Sequence, residues 1–132
     1  MNAFERVLIR CDAINPMQTL PRFDPRIAKA IGIIAENLAG PQNADGLSRA
    51  VGLSRSRFSA LFGARTALSL QTYIEGQRLA RAAQMLALTN WTVAQIARDV
   101  GFADAYYFST RFRRHFGKPP TMYRAEAANL NR

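Results

Sequence analysis

The sequence predicts an all-α fold: two three-helix helix-turn-helix subdomains joined by a long linker helix. Three observations predict it. The stretch Thr92 to Gly117, TVAQIARDVGFADAYYFSTRFRRHFG, reads as two short helices around a tight turn. The same plan stands earlier, with a turn one residue shorter. There Leu47-Ser-Arg-Ala-Val-Gly52-Leu53 repeats Ile96-Ala-Arg-Asp-Val-Gly101-Phe102, and Phe58 and Phe62 repeat Phe108 and Phe112. Between the copies a helix-patterned stretch runs from Ser69 to about Leu88. Two copies of one plan in a small chain suggest an internal duplication, and that outweighs either copy alone.

Taken in order, residues 1–24 carry the weakest pattern and read as a linker remnant or flexible arm. Phe4, Val7, Leu8 and Ile9 suit a short strand or helix, and Asn15-Pro16 and Pro21 mark a loop. The first subdomain is assigned to residues 25–68. Asp24-Pro25 opens a helix, with the aspartate as cap and proline in the first turn. Ile27, Ile31, Ile34 and Leu38 form its buried stripe, Gly40-Pro41 stops it, and it should roof the first helix pair. Asn43 caps the next helix, to about Val51, in which Gly46 costs roughly 1 kcal/mol against alanine. Ser54 caps the following one, Arg55 to about Arg65, with Phe58, Leu61 and Phe62 inward.

Residues 69–89 are the linker helix, with Tyr73, Ile74, Ala82, Met85 and Leu86 packing against both lobes. The second subdomain covers residues 90–128. Asn90-Trp91 breaks the linker helix, Trp91 packs at the joint, and Thr92 caps a helix whose apolar face is Val93, Ile96, Ala97 and Val100. Gly101 ends that helix where a positive φ is needed. Phe102 plugs the angle, and Asp104 caps a second helix striped by Phe108, Phe112 and Phe116. Lys118-Pro119-Pro120 stops it. Thr121 to about Ala128 forms a last helix with Met122 and Tyr123 packed back, and residues 129–132 are a frayed tail.

Charge then points to a partner. Eighteen Lys and Arg against nine Asp and Glu leave a net charge of +9 over 132 residues. The pI is near 11.0, which calls for an anionic partner. Only Lys29 and Lys118 are lysines, and arginine suits bidentate contacts to phosphate and guanine edges. A basic composition can be no more than a solvated surface. Here no acid stands between Asp45 and Glu75 or between Asp104 and Glu126, and both windows hold the second helix of a pair. A short helix, a glycine turn and a second helix with a polar, cationic outer face is the plan by which many proteins enter the major groove. The candidate contacts are Ser54, Arg55, Ser56, Arg57, Ser59 and Ala60 in the first copy. In the second they are Ala105, Tyr106, Tyr107, Ser109, Thr110, Arg111, Arg113, Arg114 and Lys118. Ser56, Arg57, Ser59, Ala60, Ala105, Tyr106, Ser109 and Thr110 are placed to read bases, with Arg57 the best guanine ligand. Arg113, Arg114 and Lys118 are placed on phosphate. Arg78 and Arg81 suit phosphate and solvent or ion pairing equally. The linker helix of roughly twenty residues spans about 30 Å, close to one duplex turn of about 34 Å.

These residues resemble the DNA-binding region of the AraC/XylS family of bacterial transcription regulators. The second copy carries the family signature in Ile96-Ala97, Gly101-Phe102, Asp104, Tyr107-Phe108, Phe112-Arg113, Gly117, Pro120 and Tyr123-Arg124. The first adds Leu47, Val51-Gly52-Leu53-Ser54, Phe58, Leu61-Phe62, Ser69 and Tyr73, and Arg78, Ala82 and Leu86 match the helix between. The likeness runs from about Pro25 to Arg124. It implies a sequence-specific regulator on double-stranded promoter or operator DNA, in the cytoplasm at the bacterial nucleoid, with no cofactor and no membrane partner. It also implies RNA polymerase contact in members that activate. Members usually carry a sensor domain ahead of this region, for which residues 1–24 are too short, so an effector is expected only if such a domain is missing from this chain. The sequence departs from the pattern at three places. Thr110 stands where arginine is frequent, Ala60 holds the equivalent place in the first copy, and Ala67 replaces the usual glycine after the first recognition helix.

An enzyme is not expected. His115 is the sole histidine, Cys11 is the sole cysteine and reads as an ordinary thiol, and no Gly-rich phosphate loop or nucleophile motif is present. The alternatives to sequence-specific reading are an architectural DNA-binding protein with little sequence preference and a protein-interaction bundle. Competition by random duplex separates the first, and loss of all duplex binding with a protein partner retained would favour the second.

Overall fold

The structure is a computed structural model that describes residues 24–130. The expectations for Cys11 and for the segment around Phe4 to Ile9 lie outside the described residues. Those described form seven helices: α1 Pro25–Glu36, α2 Ala44–Ala50, α3 Arg55–Thr66, α4 Leu70–Leu88, α5 Val93–Val100, α6 Ala105–Phe116 and α7 Pro120–Leu130. No strand interrupts them. None is long and apolar enough to cross a membrane.

The boundaries follow local chemistry. Asp24 accepts from the Arg26 amide at 2.8 Å, and its carboxylate also takes the Arg26 guanidinium at 2.9 Å. The Arg26 hydrogen bonds hold the Asp24 carboxyl below the usual carboxylate range. Asn43 accepts from Gly46 N–H and Ser54 from Arg57 N–H, each satisfying a donor that the helix start leaves open. Thr92 and Gln95 form a reciprocal capping box, and Asp104 accepts from Tyr106 N–H. Gly101 and Gly117 end α5 and α6 in the left-handed region. So does Ala67 after α3, at φ 63°, the only described non-glycine residue with positive φ.

The described residues divide into two compact units. The first holds residues 24–33 and 43–70, the second 34–42 and 71–130. In the first, α2 and α3 close on Leu47, Val51, Phe58 and Phe62, with Ile27 and Ala30 of α1 also buried. In the second, Leu79, Ala82, Ala83 and Leu86 of α4 share one core with Ile96, Ala97, Val100, Phe102, Phe108 and Phe112. Five aromatic rings chain through it: Phe102 to Phe108 at 5.2 Å, Phe108 to Phe112 at 5.7 Å, Phe112 to Phe116 at 4.6 Å and Phe112 to Tyr123 at 5.4 Å.

Several expectations change. The buried positions along α1 are Ile27, Ala30 and Ile34, with Leu38 buried just after it, while Ile31 is half-buried. Trp91 is 44% exposed and Met122 50% exposed, so neither is the packed residue its hydrophobicity suggested. Pro120 opens α7 rather than merely stopping α6, consistent with a residue that needs no amide partner in a first turn. That helix continues to Leu130. Arg78 is no free phosphate ligand. Its guanidinium donates to Leu38 C=O at 2.8 Å and to Gly40 C=O at 3.0 Å, closing the carbonyls after α1. Burial pushes it below its ordinary pKa, with Glu75 partly offsetting that. Arg124 does the same for α4, donating to Leu86 and Thr89 carbonyls at 3.1 and 3.2 Å.

Candidate nucleic-acid interface

The two helix pairs share one turn geometry. After α2, Gly52 takes φ 75° and Leu53 N–H returns to Ser48 C=O at 2.9 Å. After α5, Gly101 takes φ 109° and Phe102 N–H returns to Ala97 C=O at 2.8 Å. The returning bond satisfies a carbonyl at the helix end and aims the chain into the next helix. The repeat seen in the sequence is therefore a repeat of backbone conformation.

Phe58 and Phe62 are buried in α3, Phe108 and Phe112 in α6, and all four are at most 1% exposed. With that side inward, the opposite side of each helix faces solvent. On α3, Ser54, Arg55, Ser56, Arg57, Ser59 and Ala60 are all exposed. Ser54, Ser56, Arg57, Ala60 and Leu61 line a shallow depression at its start. Arg55 makes a loose 3.5 Å pair with Asp45, while among the described residues no hydrogen bond or ion pair engages the Arg57 guanidinium. On α6, Tyr106 is 81% and Tyr107 51% exposed, Thr110, Arg113 and Arg114 are exposed, and Ala105 and Ser109 are half-buried. The Thr110 hydroxyl donates to Tyr106 C=O at 3.1 Å. His115 is exposed and sits edge-on to Phe116.

Two further candidate cations are engaged, and more closely than Arg55. Arg111 donates through Nε at 2.8 Å and Nη2 at 2.6 Å to Glu75 of α4. Those bonds raise its pKa above the ordinary guanidinium value. Lys118 pairs with Glu126 of α7. The sequence reading missed both pairs: Glu75 lies 36 residues from Arg111, and Glu126 meets Lys118 eight residues on, across the break into α7. A helix-period search for acids facing α6 would have offered Glu75 as one candidate among several. No group of His, Cys, Asp or Glu among the described residues could hold a metal ion.

Comparison with known proteins places this arrangement. A family model described as "Helix-turn-helix domain" matches residues 47–126, which spans both helix pairs. The arabinose operon regulatory protein of Escherichia coli K12 is 35% identical over 128 residues, covering 95% of this chain and 43% of that protein. Its Salmonella typhimurium counterpart is 32% identical over 126 residues, covering 95% and 45%. The chain thus spans less than half the length of these relatives. Among solved structures, a transcriptional regulator with an AraC-type DNA-binding domain from Chromobacterium violaceum superposes with a TM-score of 0.75 at 31% identity, over 79% of this chain and 93% of that one. The DNA-binding domain of AdpA, a global transcriptional factor solved in complex with a target DNA, superposes with a TM-score of 0.72 at 25% identity, over 76% and 91%. The chain belongs to the AraC family of helix-turn-helix transcription regulators.

Proposed function

We propose that this chain is a sequence-specific double-stranded DNA-binding transcription regulator that inserts α3 and α6 into successive major grooves of a promoter or operator. The observation that carries this reading is the duplicated helix–turn–helix backbone, with the outer faces of both second helices polar and cationic while their phenylalanines are buried. The linker helix has 19 residues and is about 28 Å long, against about 34 Å for one duplex turn. The AdpA domain, bound to its target DNA, is a relative in which this fold meets a duplex.

In this reading the arginines and the open amides of α3 hold phosphates, which sets affinity and register. Ser56, Arg57, Ser59 and Ala60 read bases from α3. Ala105, Tyr106, Ser109 and Thr110 read them from α6, with Tyr107 and Ser54 beside them. Arg55, Arg111, Arg113, Arg114 and Lys118 contact the backbone, Lys118 by exchanging Glu126 for phosphate. Residues 25–68 and 90–128 act as reading heads, with 69–89 as their spacer. The family is one of transcription regulators, and catalysis plays no part in the reading. A member that activates would also touch RNA polymerase, and an effector enters only through a sensor region carried with this one. The working compartment is then the bacterial nucleoid.

Selection of bound duplexes from a random pool, followed by footprinting, tests this. The expected result is a site with two protected segments about one helical turn apart, and affinity that falls steeply with salt. Binding indistinguishable from that to bulk DNA would favour the architectural alternative.

A further inference from the structure

The Glu75–Arg111 pair does more than tie α6 to α4. Arginine has five N–H donors in a planar fork. Glu75 takes the edge formed by Nε and Nη2, and both bonds fall on its Oε2. The opposite edge, formed by Nη1 and the second Nη2 hydrogen, makes no hydrogen bond or ion pair with another described group. The two side chains are 33% and 24% exposed, so they are held in place without being cut off from a ligand. Arg111 lines an open groove with Tyr107, one turn earlier on α6, and Glu75. It lies at the flank of the α6 outer face, whose middle is Tyr106 and Thr110. Groups at the flank of a reading helix meet the backbone rather than base edges.

We propose that Glu75 is a positioning residue for DNA binding: it clamps one edge of the Arg111 guanidinium so that the other presents a bidentate donor pair to a backbone phosphate. The inference rests on the reading of α6 as a groove-entering helix. Its chemistry is a carboxylate–guanidinium–phosphate chain, in which the planar fork matches two acceptors and arrives with its rotamer already fixed. Lysine cannot do this, because a single ammonium has no second edge.

The sign of the Glu75→Gln effect separates positioning from simple electrostatics. Removing a negative charge beside DNA should tighten binding if only Coulomb forces act. Positioning predicts the reverse, with binding weaker by about ten-fold, the scale of one lost charge-assisted contact. Fluorescence anisotropy with a labelled duplex carrying the selected site, and with a random-sequence duplex, measures this across a potassium chloride series. Glu75→Gln, Arg111→Gln and Arg111→Lys should each weaken both duplexes similarly. Arg111→Gln should also flatten the logarithmic salt slope by about 0.9, the value for one phosphate. The double variant should bind no worse than Arg111→Gln alone, and Glu75→Asp should recover part of the loss. Circular dichroism melts set the measuring temperature below the transition of every variant, so that unfolding does not enter. Glu75→Gln binding as tightly as the parent, or tighter, would overturn the proposal. A loss confined to one base pair would overturn the phosphate assignment in favour of guanine. A parent protein that binds neither duplex would instead refute the DNA-binding reading itself.

Discussion

The two helix pairs repeat one backbone but are held together differently. In the first, Phe58 meets one other ring among the described residues, Phe62 at 5.6 Å, and Gly46 lies within the short α2. In the second, its counterpart Phe108 touches Phe102 and Phe112, and a capping box opens α5. The entry to the reading helix differs too. Ser54 caps α3 with a neutral hydroxyl, whereas Asp104 caps α6 with a carboxylate. A neutral cap leaves the positive helix end available to a phosphate, and a carboxylate partly neutralises it. The comparison teaches that the repeat keeps the turn while the two copies differ in packing and in the charge at the helix start. The first helix starts with Ser54 beside Arg55 and Arg57, the second with the acidic Asp104 on a core with more ring contacts.

The largest expected effect tests the packing half of that contrast. Phe108→Ala should destabilise by about 5 kcal/mol and Phe58→Ala by about 3 kcal/mol, the upper and lower ends of the usual range for a buried phenylalanine. Urea denaturation checks both, and equal losses would remove the asymmetry. Next come the turn glycines. A Cβ on Gly101 would lie 2.8 Å from Arg78 Nε and 3.0 Å from Ala39 Cα, at φ 109°, whereas one on Gly52, at φ 75°, meets nothing within 4 Å. Gly101→Ala should therefore cost about 3 kcal/mol or more, from clash plus strain, against about 1–2 kcal/mol of strain alone for Gly52→Ala.

A smaller effect of opposite sign is expected at Ala67. Its left-handed φ of 63° matches the 83° of Gly117, so Ala67→Gly should stabilise by about 1 kcal/mol and Gly117→Ala destabilise by a similar amount. Thermal melts of the pair check this, and a destabilised Ala67→Gly protein would mean that chain entropy outweighs strain there. Smallest is the cap. Asp104→Ser keeps a good N-cap and should raise affinity for any duplex by about two- to five-fold at low salt, the range of a single helix-end charge. A change that persists at high salt would argue against an electrostatic origin.

Much of this was legible in the residues. Asn43, Ser54, Thr92 and Asp104 were readable as caps because capping is a contact within three residues, decided by the local chain. The phenylalanine stripes were readable because helical period alone sorts inward from outward positions. Ala67 was visible as a departure, but its left-handed backbone was not. The burial of Ala30 in place of Ile31 and the exposure of Trp91 depend on what lies opposite, which no window of sequence contains.

The sequence by itself determined the seven helices, the duplicated turn and the outward cationic faces, since propensity, capping and periodicity act over a few residues at a time. Only the tertiary structure decided which cations remain available. Arg78 and Arg124 close carbonyls 35 to 40 residues away, and Arg111 meets Glu75 across 36 residues. Nothing in an arginine's near neighbours distinguishes these from Arg57 or Arg113. The role of such a charge is set by the unmet acceptors that folding brings to it.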